Sequence, residues 1–463
     1  MSAGSTGTDI RQFYLGCLSQ ASYLVTDRQT SQSVVVDPLR DVDQYLDAAQ
    51  ADGSRIVGVV NTHFHADFVS GNQELAARTG AWTAMGARAR ADFDFRPLAD
   101  DSVIDVGDTR LRIWHTPGHT PESVCILVGD RTAVHAVLTG DTLFIGDVGR
   151  PDLAAADGTG TTPVSMAREL HRSLQRLRTL DDGIRVLPAH GAGSSCGKNL
   201  STDTESTIGR ERATNPMFVP MPQAEFVAAA TSAQPAVPAY FPVNAAMNKT
   251  RHQPGADPGG VRRLTGDTLR ESIRRGAQVV DVRSVDEFAA GHLAHSVNIG
   301  FDGRMAETAG MVLDYDRPIV VAASEAATAS QAILRLRRVG LDDVIGIVVL
   351  PTTDLDMVAT ERLSPSDLHG RSASRVVVDV RGRGEIESTG TVAEATIVPL
   401  PDLTSWLRQN DNVDVIRERG VVVFCAGGWR SSVAASVLRA RTGCDAIDVV
   451  GGYTAIAAHA MAP

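Results

Sequence analysis

Cysteine is scarce in this chain. Five residues in 463 (Cys17, Cys125, Cys196, Cys425 and Cys444) form an odd, widely scattered set. That excludes a disulfide scaffold and fits a reduced cytoplasm in which one or two thiols do chemistry. No run is long and apolar enough to span a bilayer, so no membrane association is expected. The opening stretch, MSAGSTGTDIRQFYLGCLSQ, lacks a basic segment followed by an apolar one and does not read as a secretory signal. The expected location is the cytoplasm. Positive charge is also short: 44 Lys and Arg against 55 Asp and Glu give a net charge of -11 with no cationic stripe, so nucleic acid is not an expected partner. Apolar content is 43%, enough for packed cores. The length suits about three domains.

The most informative segment is Thr62-His63-Phe64-His65-Ala66-Asp67-Phe68, directly after the apolar run Ile56 to Val60. A strand ending in His-x-His-x-Asp places several metal-ligand side chains at one sheet edge. The theme recurs. Leu111 to Trp114 runs into His115-Thr116-Pro117-Gly118-His119, Val134 to Thr139 into Gly140-Asp141, and Arg185 to Ala189 into His190. Side chains delivered from strand ends converge on one rim of a sheet. The candidate ligands are therefore His63, His65, Asp67, His119, Asp141 and His190. Further elements expected here are a strand over 33–37 and helices over 41–51 and 67–79, the last stopping at Gly80.

From Gln234 to Gly260 the composition shifts to Pro, Gly and Ala, which reads as an inter-domain linker over 236–260. An internal repeat follows. Val279-Val280-Asp281-Val282-Arg283 matches Val377-Val378-Asp379-Val380-Arg381, and Ile319 to Ala323 matches Val421 to Cys425. Each of the latter strands precedes a helix, expected at 328–339 and 431–441. Continuous apolar strands followed by helices indicate parallel α/β units, here two tandem domains. The second copy carries Cys425-Ala426-Gly427-Gly428-Trp429-Arg430-Ser431 at a strand-to-helix junction. A sulfur there faces the positive end of a helix and a ring of amides formed by Ala426, Gly427, Gly428 and Trp429, and Arg430 adds a cation. All of these favour a thiolate or a persulfide anion. The first copy reads Ala322-Ala323-Ser324-Glu325-Ala326 and has no thiol to carry sulfur. Ser324 makes a poor nucleophile, with an acidic neighbour and no adjacent His.

THFHADF, TPGHTPES, TGDTLF and PAHG, in that order, resemble the metallo-β-lactamase fold over about the first 235 residues. TGDTLFIGDVGRPDL resembles its persulfide dioxygenase branch. The Cys425 loop with Asp379-x-Arg381 resembles the rhodanese sulfurtransferases, and Asp281-x-Arg283 with Gly291-His292-Leu293 marks the first copy as rhodanese-like. The second copy departs from that pattern at Gly390-Thr391-Val392, which bears on packing. The whole chain resembles bacterial persulfide dioxygenase–sulfurtransferase fusions.

The resemblance implies an α/β protein. An N-terminal metallo-β-lactamase αββα sandwich (1–235) is followed by the linker (236–260) and two three-layer α/β/α rhodanese-like domains with parallel sheets, one inactive (261–355) and one active (356–463). It implies a single Fe(II) on His63, His119 and Asp141, three ligands on one face that leave positions for dioxygen and a substrate sulfur. His65, Asp67 and His190 would be outer-shell residues or a vacated second metal site. Zinc would accept the same ligands. Cys425 would carry sulfur with Arg430 beside it, and Cys196, in PAHGAGSSCGK, would be a second sulfur-handling thiol. Two-metal relatives commonly carry His where Phe68 stands, so its loss argues against hydrolysis. The implied reactants are a small thiol persulfide, dioxygen and sulfite, and the implied assembly is a homo-oligomer, dimer or tetramer. Two readings compete: a glyoxalase-II-like thioester hydrolase with a rhodanese passenger, and a non-enzymatic sulfur relay. Cys17, Cys125 and Cys444 are expected as packing residues, and Arg150 as a member of an ordinary ion pair.

Overall fold

The computed structural model describes residues 7–153, 160–232, 234, 236–252, 260–352 and 355–460. The chain divides into two compact units, residues 1–255 with Arg337–Gly340, and the remainder.

The first unit is built on two six-stranded sheets. One runs in chain order through β1 (Thr8–Leu15), β2 (Gln20–Asp27), β3 (Gln32–Val36), β4 (Arg55–Val60), β5 (Trp82–Gly86) and β6 (Arg96–Leu98). The other is ordered β12-β11-β10-β9-β8-β7, from β7 (Val103–Val106), β8 (Thr109–His115), β9 (Val124–Gly129), β10 (Val134–Gly140), β11 (Arg185–Pro188) and β12 (Ser206–Thr207). The alternate residues Tyr23, Val25, Val34, Val36 and Val60 of the first sheet pack on Leu111, Ile113, Ile126, Val128 and Leu138 of the second, so one apolar layer joins the sheets. The opposite faces are also apolar and need covers. α1 (Asp43–Ala51) and α2 (Asn72–Thr79) bury Tyr45, Ala48 and Leu75 against Leu24, Val35 and Val59. α3 (Pro163–Leu177), α4 (Ile208–Thr214) and α5 (Gln223–Thr231) bury Leu170, Leu174, Ile208 and Phe226 against Leu127 and Val137. The result is the αββα sandwich.

Two local expectations change. The helix foreseen over 67–79 begins only at Asn72. The preceding residues form a loop because their polar groups bond elsewhere: Asn248 Nδ2 donates to both the His65 and Phe68 carbonyls at 2.7 Å, and its Oδ1 accepts from the Ser70 amide at 2.8 Å. The linker foreseen over 236–260 is in part structured. α6 (Phe241–Met247) and Asn248 belong to the first unit, with Phe241 and Asn248 buried. Residues 253–259 lie outside the described residues.

In the second unit, four parallel strands order as Val297–Asn298, Gln278–Asp281, Ile319–Ala323 and Val344–Val349. Five parallel strands order as Arg362–Leu363, Ala446–Val449, Val421–Phe424, Val376–Asp379 and Thr396–Ile397. The repeat is therefore structural as well as sequential. In each copy the Asp-x-Arg pair is buried and bonded alike: Arg283 Nη2 reaches Asp281 Oδ2 at 2.6 Å and the Gly291 carbonyl at 2.7 Å, and Arg381 Nη2 reaches Asp379 Oδ2 and the Gly390 carbonyl at the same distances. In the altered Gly390-Thr391-Val392 segment, Thr391 Oγ1 donates to Asp379 Oδ2 at 2.7 Å, whereas His292 of the first copy bonds the Phe288 carbonyl. Asp379→Ala strands a buried guanidinium and should cost about 3–5 kcal/mol of unfolding free energy, read from denaturant midpoints. The helices foreseen at 328–339 and 431–441 span Ala326–Arg338 and Trp429–Thr442. Among the described residues, no helix is long and apolar enough to cross a membrane.

Candidate metal centre and sulfur-transfer loop

All six candidate ligands of the first unit meet at one end of its sandwich, and all are buried. β4 ends at Val60, and the next residues are fixed by bonds outside the strand: Asn61 N–H donates to the Ala84 carbonyl and Thr62 N–H to Asp37 Oδ1. Gly140 (φ 51°) ends β10 in a left-handed conformation. A Cβ there would lie 2.7 Å from Thr62 Oγ1, so only glycine lets the two strand ends close and brings Asp141 to His63.

One nitrogen of each ligand imidazole is anchored. His63 Nδ1 bonds Thr62 Oγ1 at 2.9 Å, and that hydroxyl donates onward to Asp37 Oδ2 at 2.8 Å. His119 Nδ1 donates to the Arg150 carbonyl at 2.9 Å, and His190 Nδ1 to the Ser19 carbonyl at 3.1 Å. These partners leave the Nε2 of His63, His119 and His190 as lone pairs facing inward, whereas His65 bonds Asp37 through its Nε2. His63 and His119 Nε2 lie 3.8 and 3.4 Å from Asp141 Oδ2, and His190 Nε2 lies 3.4 Å from Asp67 Oδ2 and 3.6 Å from Asp141 Oδ1. Both oxygens of Asp67 and of Asp141, and His190 Nε2, are buried with no hydrogen-bond partner. Such orphaned groups are costly to bury unless a cation satisfies them, so this donor set fits a metal ion.

The electrostatics agree. Burial, then the neighbouring imidazoles, hold His63 neutral well below its ordinary range, the form that ligates. Burial opposes charge on His65, but Asp37, 3.0 Å from its Nε2, outweighs it and raises the value. Burial raises the Asp67 carboxyl, and the neighbouring imidazoles only partly offset that. Phe68 is fully buried with its ring 4.2 Å from that of His65, and it offers no donor atom.

Cys196 belongs to the same cluster, its sulfur within 4.8 Å of ligand atoms of Asp141 and His190. Burial, then Asp67 and Asp141, push its thiol well above the ordinary cysteine range. Its loop is pinned by Arg150, whose amide donates to the Cys196 carbonyl and whose Nη1 donates to the Ser195 carbonyl. Arg150 is 1% exposed and pairs with Asp152 through two bonds of 2.7–2.8 Å, the ordinary ion pair expected of it. Cys125 is also buried, in the apolar layer under α3.

In the second unit, Cys425 directly follows the strand Val421–Phe424 and is buried. Its sulfur accepts from the Gly428 amide at 3.1 Å and lies 3.5 Å from Ser431 Oγ. Gly428 turns the loop with φ 98°, and a Cβ there would approach the Gly451 amide at 3.2 Å. Ala426, Gly427 and Trp429 complete the turn. Arg430, the cation expected near the sulfur, is itself paired. Its guanidinium is bound by Glu385 through two bonds of 2.6 and 2.7 Å, which holds the Glu385 carboxyl below its usual range. The Gly428 amide donates directly to the sulfur, at the N-terminus of the following helix. In the first copy the register puts Ala322 opposite Asp281, as Phe424 stands opposite Asp379, so Ala323 occupies the cysteine position. That copy instead braces the working helix: Asn298 N–H donates to Ser436 Oγ, and Ser432 Oγ donates to Asn298 Oδ1, both at 3.0 Å.

Sequence reasoning missed Asp37, Thr62 and Asn248 as supports of the cluster. Asp37 carried a usable signal, a strand ending in Asp. Thr62 and Asn248 carried none.

Comparison with known proteins agrees with this architecture. Residues 15–190 match the metallo-beta-lactamase superfamily, and residues 265–348 and 364–459 match the rhodanese-like domain. An uncharacterized protein of Mycobacterium leprae, ML0493, is 32% identical over 239 residues, 45% of this chain and 98% of that protein. A beta-lactamase hydrolase-like protein of Xylella fastidiosa is 31% identical over 240 residues, 45% of this chain and 52% of that protein. The chain thus spans about half the length of the first curated relatives it matches. The crystal structure of a metallo-beta-lactamase from Staphylococcus aureus superposes with a TM-score of 0.66 at 29% identity, covering 74% of this chain and all of that one. The chain belongs to the metallo-β-lactamase superfamily, with rhodanese-like domains following the metallo-β-lactamase fold.

Proposed function

We propose that this chain is a persulfide dioxygenase joined to a sulfurtransferase. The observation that carries the reading is the convergence of His63 Nε2, His119 Nε2 and one oxygen of Asp141 on a common point, while Phe68, buried against His65, offers no donor atom. Two imidazoles and one carboxylate on one face are the donor set of non-haem ferrous oxygenases. A ferrous ion held by His63, His119 and Asp141 would supply activation of dioxygen. The protein's own part is to fix the ligands through Thr62, Asp37 and the Arg150 carbonyl, and to bury the centre from water. The net reaction is RSSH + O2 + H2O → RSH + sulfite + 2 H+.

Cys196, beside the centre, handles sulfur at the same site. Cys425 carries sulfur in the second step: sulfite attacks the outer sulfur of a Cys425 persulfide, the S–S bond breaks, thiosulfate leaves and the Cys425 thiolate is restored. The Gly428 amide steadies the negative sulfur. Tethering both sites in one chain raises the effective concentration of the shared intermediate. The test is oxygen-electrode assay of the iron-loaded protein with glutathione persulfide. Oxygen uptake with matching sulfite release is expected. Thioester cleavage without air, and no uptake with persulfide, overturns the reading in favour of a hydrolase.

A further inference from the structure

The Cys425 loop carries a cation that is already engaged. Arg430 lies five residues past Cys425 and feels the charge on its sulfur. Its guanidinium meets the Glu385 carboxylate through two bonds, Nη1 to Oε2 at 2.6 Å and Nη2 to Oε1 at 2.7 Å. The pair is not sealed off: the two side chains are 32% and 42% exposed, so a small solute can reach both. The fold aims this carboxylate at the loop. Glu385 is the third residue of the helix Arg383–Thr389, and its Oε2 also accepts from the Gly382 amide at 3.0 Å. The first copy repeats the arrangement. Glu287 is the third residue of the helix Val285–Ala290, and its Oε2 accepts from the Ser284 amide at 3.1 Å. Its Oε1 accepts at 3.0 Å from the hydroxyl of Ser324, the residue after Ala323. A glutamate therefore reaches the loop in both copies, and in the second it meets a cation. A guanidinium binds oxyanions through the same two-pronged geometry that Glu385 occupies. Glu385 and a sulfur oxyanion arriving at this loop compete for one group.

We propose that Glu385 is a specificity-determining residue of the Cys425 site, a built-in competitor that limits how strongly Arg430 draws oxyanions to the sulfur. The substrate choice it implies rests on the sulfur-transfer reading. In that step sulfite attacks the outer sulfur of the Cys425 persulfide anion, the S–S bond breaks, and thiosulfate and the Cys425 thiolate result. Run in reverse, thiosulfate would load the thiolate. Sulfite and thiosulfate both carry their charge on oxyanion groups next to the reacting sulfur. With Arg430 neutralised, the loop gives such groups little electrostatic help. A thiol persulfide, whose reacting end bears no oxyanion, is indifferent to the pair. The pairing thus favours thiol persulfides over thiosulfate as the donor that loads Cys425.

The experiment alkylates the full-length protein and follows Cys425 by mass spectrometry of its peptide. The thiolate displaces iodide from iodoacetate, an anion, or from iodoacetamide, a neutral molecule of similar size; a C–S bond forms as the C–I bond breaks. Glu385→Gln removes the charge, keeps the shape and can still accept from the Gly382 amide. It should raise the iodoacetate-to-iodoacetamide rate ratio about three- to fivefold at low salt, the worth of one unit charge a few ångströms away through water. The gain should shrink at high salt. Taking the ratio cancels any change in thiolate fraction. Adding Arg430→Gln should return the ratio to near the parent value. With cyanide as common acceptor, kcat/KM for thiosulfate should rise in Glu385→Gln by a like factor relative to glutathione persulfide. An unchanged alkylation ratio, a gain that survives Arg430→Gln, or equal gains for both donors overturns the proposal. No transfer from either donor, with the alkylation result intact, would fail the sulfur-transfer reading while sustaining the control Glu385 exerts over anions reaching Cys425.

Discussion

Asp141→Ala is expected to abolish metal binding and, with it, oxygen uptake on any persulfide. Both oxygens of this carboxylate face the imidazoles of the cluster, Oδ2 toward His63 and His119 and Oδ1 toward His190. No other residue can replace it, because Gly140 holds the backbone at the one place where β10 meets the end of β4. Loss of an outer-shell partner already costs about 10–100-fold in metal affinity, and loss of a ligand common to the cluster should cost more. Chelator competition on the purified variant measures the fall. Stability separates a ligand from a structural residue. In the metal-free protein Asp141 is a buried carboxylate with no hydrogen-bond partner, and such a group destabilises the fold. The metal-free variant should therefore unfold at the same or higher denaturant concentration than the metal-free parent, while added metal stabilises only the parent. A variant that loses stability without metal, yet keeps its iron, would show that Asp141 serves packing.

The convergence of six candidate ligands was legible because strand ends are local events. An apolar run that stops at His, Asp or Gly-Asp marks the edge of a sheet wherever the strand lies in the chain. The chain's own repeat likewise revealed paired parallel sheets, since the Asp-x-Arg signature recurs in register with the strand that precedes each loop. What escaped depends on distant bonds. Nothing near Asp67 says that its loop will be denied a helix by Asn248, 181 positions away, and proline-rich composition hid the short helix that carries that asparagine. The pairing of Arg430 with Glu385, on another helix, is likewise a distant bond that no local pattern shows. Cys196, six positions past His190 in a Gly/Ser loop, was already a candidate from its place in the sequence, and bonds from Arg150 and Ser194 help hold that loop beside the cluster.

Cys425→Ser is expected to stop thiosulfate formation from persulfide and sulfite while leaving oxygen uptake on small persulfides largely intact. A serine hydroxyl at this position cannot accept a sulfane sulfur, and the loop's features become useless without a thiolate to steady. The Gly428 amide that donates to sulfur at 3.1 Å would meet a neutral oxygen. Deleting the nucleophile of a catalytic unit costs several powers of ten, so transfer should fall by at least about a thousandfold. The fold itself should hold. Serine is smaller than cysteine, and Ser431 Oγ, 3.5 Å from the sulfur, is placed to hydrogen-bond a hydroxyl. Cys425→Ser should therefore unfold within about 1 kcal/mol of the parent. Oxygen uptake should persist because the residues that would hold the metal belong to the first unit and Cys425 to the second. The informative measurement runs both assays on one preparation: oxygen consumed per persulfide, and thiosulfate formed when sulfite is added. Uptake without thiosulfate fits two sites acting in sequence. Joint loss of both, in a variant whose iron content and unfolding midpoint match the parent, would mean that Cys425 also serves the oxygen-consuming step and that the two sites are not independent.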